Sequence, residues 1–275
     1  MPTDLSIILP PAWAQVYLSP ARFLRASLAD LGLIAELAEF DAVATERPAI
    51  LLGWNLYPAE WRPTVRYAVY QLEPLSHEYW RGQFAARRGL FVRANALWDY
   101  STHNLDWLAA QGLEGKWLPL TYHPELCDIS TPNSLSEYDI LFTGVLTPRR
   151  QAVIEALTRR CCVYAHSRWG SELVDAISRS KIVLNIHQHD ELMPLEQVRV
   201  AYALNQGAFV LSEESADEPF PFLPHAPYAA LAERALELLF RPAVRATAHV
   251  ALCKAFEQSR TLAHLEAALA PLLPI

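Results

Sequence analysis

Residues 181–214, KIVLNIHQHDELMPLEQVRVAYALNQGAFVLSEE, constrain the fold more than any other stretch of this chain. They open on an apolar run, Ile182 to Ile186, too short for an ordinary helix and bounded by polar residues, which reads as a buried strand. A polar elbow follows, Asn185 through Asp190. Pro194 stands where a helix would start, because its missing N–H costs nothing in a first turn, and Gly207 stands where that helix would stop. Ala208 to Leu211 then reads as a second buried strand. A strand, a helix and a strand in this order form one unit of an open parallel sheet, with Ser212, Glu213 and Glu214 at the carboxyl end of its last strand. Such ends are where α/β sheets bind ligands.

The helix of this unit carries charge. At about 100° per residue, Leu195, Val198 and Tyr202 share one face, and Glu196, Arg199 and Ala203 lie on an arc beside it. A carboxylate and a guanidinium therefore stand near a helix N-terminus, whose free N–H groups attract anions and phosphate. An intrahelical ion pair on a solvated face accounts for the same spacing.

The runs LNIH, LEQVRV and FVLSEE, in that order and at that spacing, resemble the donor-binding half of a bacterial and viral group of GT-B glycosyltransferases. The resemblance implies a sugar-nucleotide site, with Glu196 near the ribose or sugar and Arg199 near the diphosphate. It extends to TGVLTPRR, Thr143 to Arg150, since such transferases carry a similar glycine-containing turn facing the donor phosphates. A glycine at a strand's end admits a close approach to the backbone, and Arg149 and Arg150 in the next turn suit a polyanion. The full donor-side set that the resemblance implies is Gly144, Thr147, Arg149, Arg150, His166, Asn185, His187, Glu196, Arg199, Ser212 and Glu213.

At 275 residues the chain suits two compact domains, and 52% hydrophobic against 19% charged residues describe a globular protein. The net charge of −7 argues against wholesale nucleic-acid binding, a local basic patch aside. The start, MPTDLSIILPP, lacks a basic segment and a long apolar run, so no signal peptide is expected, and no stretch is apolar enough to span a membrane. Cys127, Cys161, Cys162 and Cys253 show no paired metal spacing and read as reduced, mostly buried thiols of a cytoplasmic protein.

Taken in order, the pattern predicts strands at Leu5–Leu9, Leu33–Phe40, Ala49–Trp54, Val65–Leu72, Leu90–Val92 and Lys116–Leu120. Helices lie between them over Leu18–Leu31, Ser76–Arg88 and from Ser101 to Gly112. The polar, proline-bearing stretch 123–137 reads as a linker between a first domain, 1–122, and a second, 138–275. The second restarts with a strand at Tyr138–Thr143, a helix from Pro148, a strand at Val163–Ala165 and a helix at Gly170–Ser180, and it ends in Ala- and Leu-rich helices. Both domains are thus expected to be Rossmann-like, with parallel doubly wound sheets, and the resemblance makes the pair GT-B-like.

In the first domain VYQLEP, WDYSTHN and LPLTYHP resemble, more loosely, the acceptor side of the same transferases. Glu73, His77 and Asp99 stand near strand ends, where any of them can take the proton of an acceptor hydroxyl. Trp54, Trp61, Trp80, Trp98, Tyr70 and Tyr79 supply aromatic faces for sugar rings or for the core. Arg81, Arg87, Arg88 and Arg93 would face an anionic acceptor or a membrane surface, or simply solvent. His187, His189, Asp190 and Glu191 cluster as metal ligands do. No further His or Cys stands at ligand spacing, however, and no Asp-x-Asp pair exists, so no metal and no cofactor are expected.

The resemblance therefore implies a metal-independent enzyme transferring a sugar from a nucleotide-sugar donor to a hydroxyl of a glycan or other acceptor, as in polysaccharide biosynthesis. The Glu-x7-Glu spacing of many retaining GT-B enzymes is absent, the position eight after Glu196 being Leu204, which favours inversion. A non-catalytic nucleotide-sugar-binding module keeps the fold without the chemistry. A dinucleotide-dependent oxidoreductase needs a Gly-x-Gly-x-x-Gly turn, and the 9 glycines supply none. A DNA-modifying transferase is disfavoured by the net charge.

Overall fold

The computed structural model describes residues 4–10, 14–40, 47–129, 136–191, 193–260 and 262–273. The chain divides into two compact units, Met1–Leu120 with Thr261–Ile275, and Thr121–Arg260. Each is built on one parallel sheet.

In the first unit the strands are β1 (Leu5–Leu9), β2 (Ala35–Glu39), β3 (Ala49–Leu51), β4 (Tyr67–Gln71), β5 (Ala96–Asp99) and β6 (Lys116–Trp117), lying in the order β2-β1-β3-β4-β5-β6. Helices α1 (Ala14–Asp30), α2 (Glu78–Val92) and α3 (Thr102–Ala110) connect them. Every residue of β1, β3, β4 and β5 is buried, as expected of strands covered on both faces. Aromatic rings fill the space under α2, where Phe91 meets Trp54 edge-on at 5.0 Å and Phe84 at 4.9 Å.

Leu90–Val92, expected as a strand, is the last turn of α2. Phe91 falls on the same helix face as Phe84 and Leu90 is buried beside it, so continuing the helix buries both. The strand comes later, at Ala96–Asp99, where the sequence reading placed only the approach to α3. Ser101 does cap α3, its hydroxyl accepting from Asn104 N at 3.2 Å.

The second unit contains β7 (Tyr138–Thr143), α4 (Pro148–Thr158), β8 (Val163–His166), α5 (Ser171–Ser178), β9 (Ser180–Asn185), α6 (Gln197–Asn205), β10 (Val210–Glu213), β11 (His225–Ala226), α7 (Tyr228–Phe240) and α8 (Pro242–Glu257). Its sheet runs β11-β10-β9-β7-β8. Read from its own first strand this is the winding of the first unit, with the second strand on one side of the first and the later strands on the other. The direction reverses between β1 and β3 and between β7 and β9, the points at which open α/β sheets leave a crevice.

Three expectations change here. Helix α6 starts at Gln197 and not at Pro194, because Glu196 keeps non-helical angles (φ −72, ψ 71) and Leu195 N is held by the Asp217 carboxylate at 3.0 Å. Its buried face is Gln197, Val200, Ala201 and Leu204, while Val198 and Tyr202 stay partly open. None of the four cysteines is buried, Cys127 and Cys162 being exposed. The expected linker falls partly at 130–135, outside the described residues. Before it, Asp128 N and Leu126 O are both tied to the Gln206 amide just past α6.

The last helix, α9 (Leu262–Leu269), packs in the first unit, although the sequence boundary counted it with the second. Trp98 Nε1 donates to Ala268 O at 3.1 Å and Arg66 Nε to Leu272 O at 3.2 Å. No helix among the described residues is long and apolar enough to cross a membrane.

Candidate active site

In the second unit the loops after β7 and β9 flank the reversal of the sheet, and most of the expected donor residues stand there. Thr147 caps α4 by accepting from Arg150 N at 3.4 Å, and Pro148 occupies the first turn, so the helix begins with its N–H groups toward the crevice. Gly144, directly after β7, has φ +139, a conformation that other residues rarely adopt. A Cβ there would come within 2.9 Å of Arg199 Nη2.

One polar network joins these loops. Ser212 stands opposite Asn185 in the β9–β10 register and accepts from its Nδ2 at 3.0 Å, while Asn185 Oδ1 accepts from Arg199 Nη1 at 2.9 Å. Glu196 lies among two guanidinium groups and an imidazole, with Arg150 Nη2 at 3.2 Å, His187 Nδ1 at 3.0 Å and Arg199 Nη1 at 3.7 Å. Burial alone would push its carboxyl up, but His187 first, then Arg199 and Arg150, hold it down at about 2. His187 is correspondingly raised: burial works against its charge, and Glu196 and Glu213 outweigh that burial. Its Nε2 donates to Glu214 O at 2.8 Å.

The three arginines differ in what they leave open. Arg150 is buried, bonded to Ile186 O and Val145 O as well as Glu196, and burial beside Arg199 lowers it to about 10. Arg149 grips the buried Glu213 carboxylate with two nitrogens, meets Asp190 at 2.8 Å and stacks on the Tyr228 ring at 3.8 Å. Glu213 is thereby engaged, taking His187 N at 3.0 Å as well. Arg199, against Gly144 and sharing Glu196 with the nearer Arg150, is the guanidinium whose charge is least offset.

His166 ends β8. Its Nδ1 accepts from Arg168 N at 3.0 Å, which leaves the proton on Nε2, and that atom is buried with no partner among the described residues. Burial, and then Arg168, lower its pKa, so the ring is neutral, stacked on Tyr164 at 4.9 Å.

In the first unit Glu73 follows β4, one strand from the reversal point. It is partly buried, and burial raises its carboxyl to about 7 against the pull of Tyr17, whose hydroxyl donates to Oε1 at 2.5 Å. Its backbone is held by Gln71, which accepts from Glu73 N at 2.5 Å and donates to Glu73 O at 2.7 Å. Asp99 is buried behind, accepting from Gln71 Nε2 at 2.8 Å, Ser101 N at 2.8 Å and Asn104 Nδ2 at 3.1 Å. Asp99 therefore organises the residues that hold Glu73. His77 caps α2, its Nδ1 accepting from Tyr79 N at 3.2 Å. Tyr17 carried no sequence signal, because its partner Glu73 lies far along the chain, and the bond from Asn104 to Glu73 O likewise joins distant segments.

Two parallel sheets wound alike, each reversing at its own first strand, define a class of fold that the comparisons identify. No family model matches the chain. It is 25% identical over 136 residues to the uncharacterized protein R358 of Acanthamoeba polyphaga mimivirus, covering 50% of this chain and 47% of that protein. It is also 29% identical over 87 residues to the uncharacterized protein L140 of the same virus, 29% of that protein. The chain thus matches less than half the length of either relative.

Among solved structures it is similar to the T4 phage β-glucosyltransferase, described as a DNA modifying enzyme, at 13% identity and TM-score 0.60, over 98% of this chain and 99% of that one. TarM of S. aureus, in complex with UDP among other ligands, superposes at TM-score 0.61 and 10% identity over 83% of this chain and 55% of its own. AviGT4, a glycosyltransferase involved in avilamycin A biosynthesis, does so at 0.52 and 14%, over 97% and 98%. These neighbours are GT-B glycosyltransferases, and at such identities the likeness is one of fold: the chain has the GT-B fold.

The comparisons correct two expectations. The T4 phage enzyme is solved in complex with UDP and Mn2+, so the lack of an Asp-x-Asp pair does not make transfer on this fold metal-free. In the second unit His189 and Glu191 bring ligand atoms within 4.8 Å of each other on the loop after β9, a nitrogen and oxygen pair of the kind that manganese accepts. They share an open recess with Thr147, Pro148, Arg149 and Asp190. Net charge likewise does not exclude nucleic acid, since a neighbour of this fold is a DNA modifying enzyme.

Proposed function

We propose that this chain is an inverting glycosyltransferase whose second unit binds a nucleotide-sugar and whose first unit binds a hydroxyl acceptor. The observation that carries the reading is the network at the reversal of the second sheet. There Arg199, the N-terminus of α4 and the glycine turn at Gly144 converge where a diphosphate would lie. Arg199 and the helix N–H groups stabilise the charge that develops as the bond between the anomeric carbon and the diphosphate oxygen breaks. Arg149, Arg150, His187 and Glu213 hold the walls, and Asn185 and Ser212 fix the Arg199 guanidinium. Glu196, ionised at any ordinary pH, accepts hydroxyls of ribose or sugar. A divalent cation bound by His189 and Glu191 would offset further charge on the leaving diphosphate.

The acceptor hydroxyl forms the new bond to the anomeric carbon and gives its proton to the Glu73 carboxylate. A carboxyl near 7 is matched to that task, being both available as a base and strong enough to act.

Calorimetric titration with UDP, GDP, CMP and dTDP, with and without Mn2+, tests the donor half of this reading. Arg199→Ala should weaken nucleotide binding about 10- to 150-fold, the loss of a charge-assisted contact. Glu196→Ala should weaken the intact sugar nucleotide more than inorganic diphosphate. Variants that bind like the parent would show that the network only braces the sheet.

A further inference from the structure

We propose that the outer face of α2 binds the phosphodiester backbone of a nucleic acid, which names the acceptor class; the inference rests on reading the first unit as the acceptor side. In a chain of net charge −7, the segment from Glu78 to Arg93 holds Arg81, Arg87, Arg88 and Arg93 and a single acid. Gly82, Ala85, Ala86 and Gly89 lie along the outward side of the helix and make a low floor. Arg81 and Arg88, one heptad apart, edge this floor on the side of α3. Arg81 Nε donates to Leu75 O at 2.9 Å with its guanidinium 5.8 Å over the Trp107 ring, and Arg88 Nη2 donates to Gln111 O at 3.0 Å. Arg62 edges it on the other side, donating to Ala59 O at 2.6 Å. It lies so close that a Cβ on Gly89 would be 2.5 Å from its Nη2.

The guanidinium groups of Arg62, Arg81, Arg87 and Arg88 are each oriented by a neutral carbonyl, which aims the charge without cancelling it. None of Arg62, Arg81, Arg87, Arg88 and Arg93 forms an ion pair with a carboxylate among the described residues. In the second unit Arg149, Arg150, Arg160, Arg168, Arg179, Arg199, Arg234 and Arg241 do, while Arg245 donates to Leu238 O and Leu239 O. Arginine that donates to carbonyls keeps its remaining N–H groups for an anion, and its fork suits phosphate. Arg81 and Arg88 stand about 10 Å apart along the helix, a span that a polyanion covers and a single phosphate does not. The floor between them is Gly and Ala, without the bulky apolar side chains that anchor a helix in a lipid surface. Net negative charge elsewhere confines a nucleic acid to this face.

The test is fluorescence anisotropy of a short labelled DNA duplex of mixed sequence with the full-length protein across a salt series. Binding should weaken as salt rises. The Arg81→Ala/Arg88→Ala double variant should flatten the slope of log K against log salt by about 2, and Arg81→Lys/Arg88→Lys should largely restore it. No binding at low salt, or an unchanged slope in the alanine variant, overturns the inference. Binding to phosphatidylserine vesicles and not to DNA, lost in the same variant, also overturns it and assigns the face to a membrane. The thermal shift given by UDP is read on the same samples. If that shift persists while DNA fails to bind, this inference falls and the donor reading stands.

Discussion

At the scale of single residues, Glu73 and its partner make the sharpest predictions. Its carboxyl titrates at about 7 in the folded protein against about 4.3 in an unfolded chain, because burial disfavours the charge. Between these values the folded state holds a proton that the unfolded state has lost, so stability falls as pH rises through that window and the loss is complete above it. Glu73→Gln, neutral throughout, should remove this dependence, and melting temperatures at about pH 5 and about pH 8 compare the two directly. Activity runs the other way: kcat/KM of the parent should rise through pH about 7 and lose that limb in Glu73→Gln. Tyr17→Phe deletes the hydroxyl that stabilises the carboxylate form, so the same limb should move to higher pH. A limb that stays in place in Tyr17→Phe would mean that the tyrosine packs beside Glu73 without tuning it. None of this was legible in the sequence beyond Glu73 itself, since Tyr17 lies far along the chain from its partner. A pattern of local periods carries no such contact.

At the scale of elements, the turn at Gly144 couples backbone shape to the arginine that faces it. Gly144→Ala strains a positive-φ backbone, at about 1–3 kcal/mol, and drives its new methyl into Arg199. Nucleotide affinity should fall by an amount comparable with Arg199→Ala, whereas Gly82→Ala on the open side of α2, where nothing lies within 4 Å, should leave it unchanged. Equal affinities in both variants would detach Arg199 from the turn. The turn itself was legible, as were the proline that opens α4 and the strand ends that carry Asn185 and Ser212, because helix starts and strand ends are set by neighbours in sequence. Other boundaries were not. Leu90–Val92 has the composition of a strand and becomes helix because Phe84, about two turns earlier, fixes which face is buried. Helix α6 starts after Pro194 because Asp217, beyond β10, holds the Leu195 amide. Charge allocation was equally hidden: Arg149, Arg150 and Arg199 look alike in sequence and differ in the structure by which carboxylate each has to share.

At the scale of the whole molecule, the return of α9 to the first unit makes the chain's end a structural part of its beginning. Leu265, Ala268, Leu269 and Leu272 are buried there, and Trp98 and Arg66 each bond a carbonyl of this segment. A buried leucine contributes about 1.5–3 kcal/mol, so the three together rival the 5–15 kcal/mol that typically holds a domain folded. With two units, unfolding need not be a single transition, and each can be followed by what it binds. Ending the chain after Arg260 should therefore lower or abolish the melting transition of the first unit. The transition of Thr121–Arg260, which the proposed donor site would make sensitive to UDP, should keep its position and any response to nucleotide. Turnover should be lost with the acceptor unit even though the donor still binds. Scanning calorimetry of the truncated and full-length chains, each with and without UDP, separates the outcomes. Loss of the nucleotide-responsive transition would place the last helix in the stability of the donor unit, and an unchanged pair of transitions would make it dispensable to both.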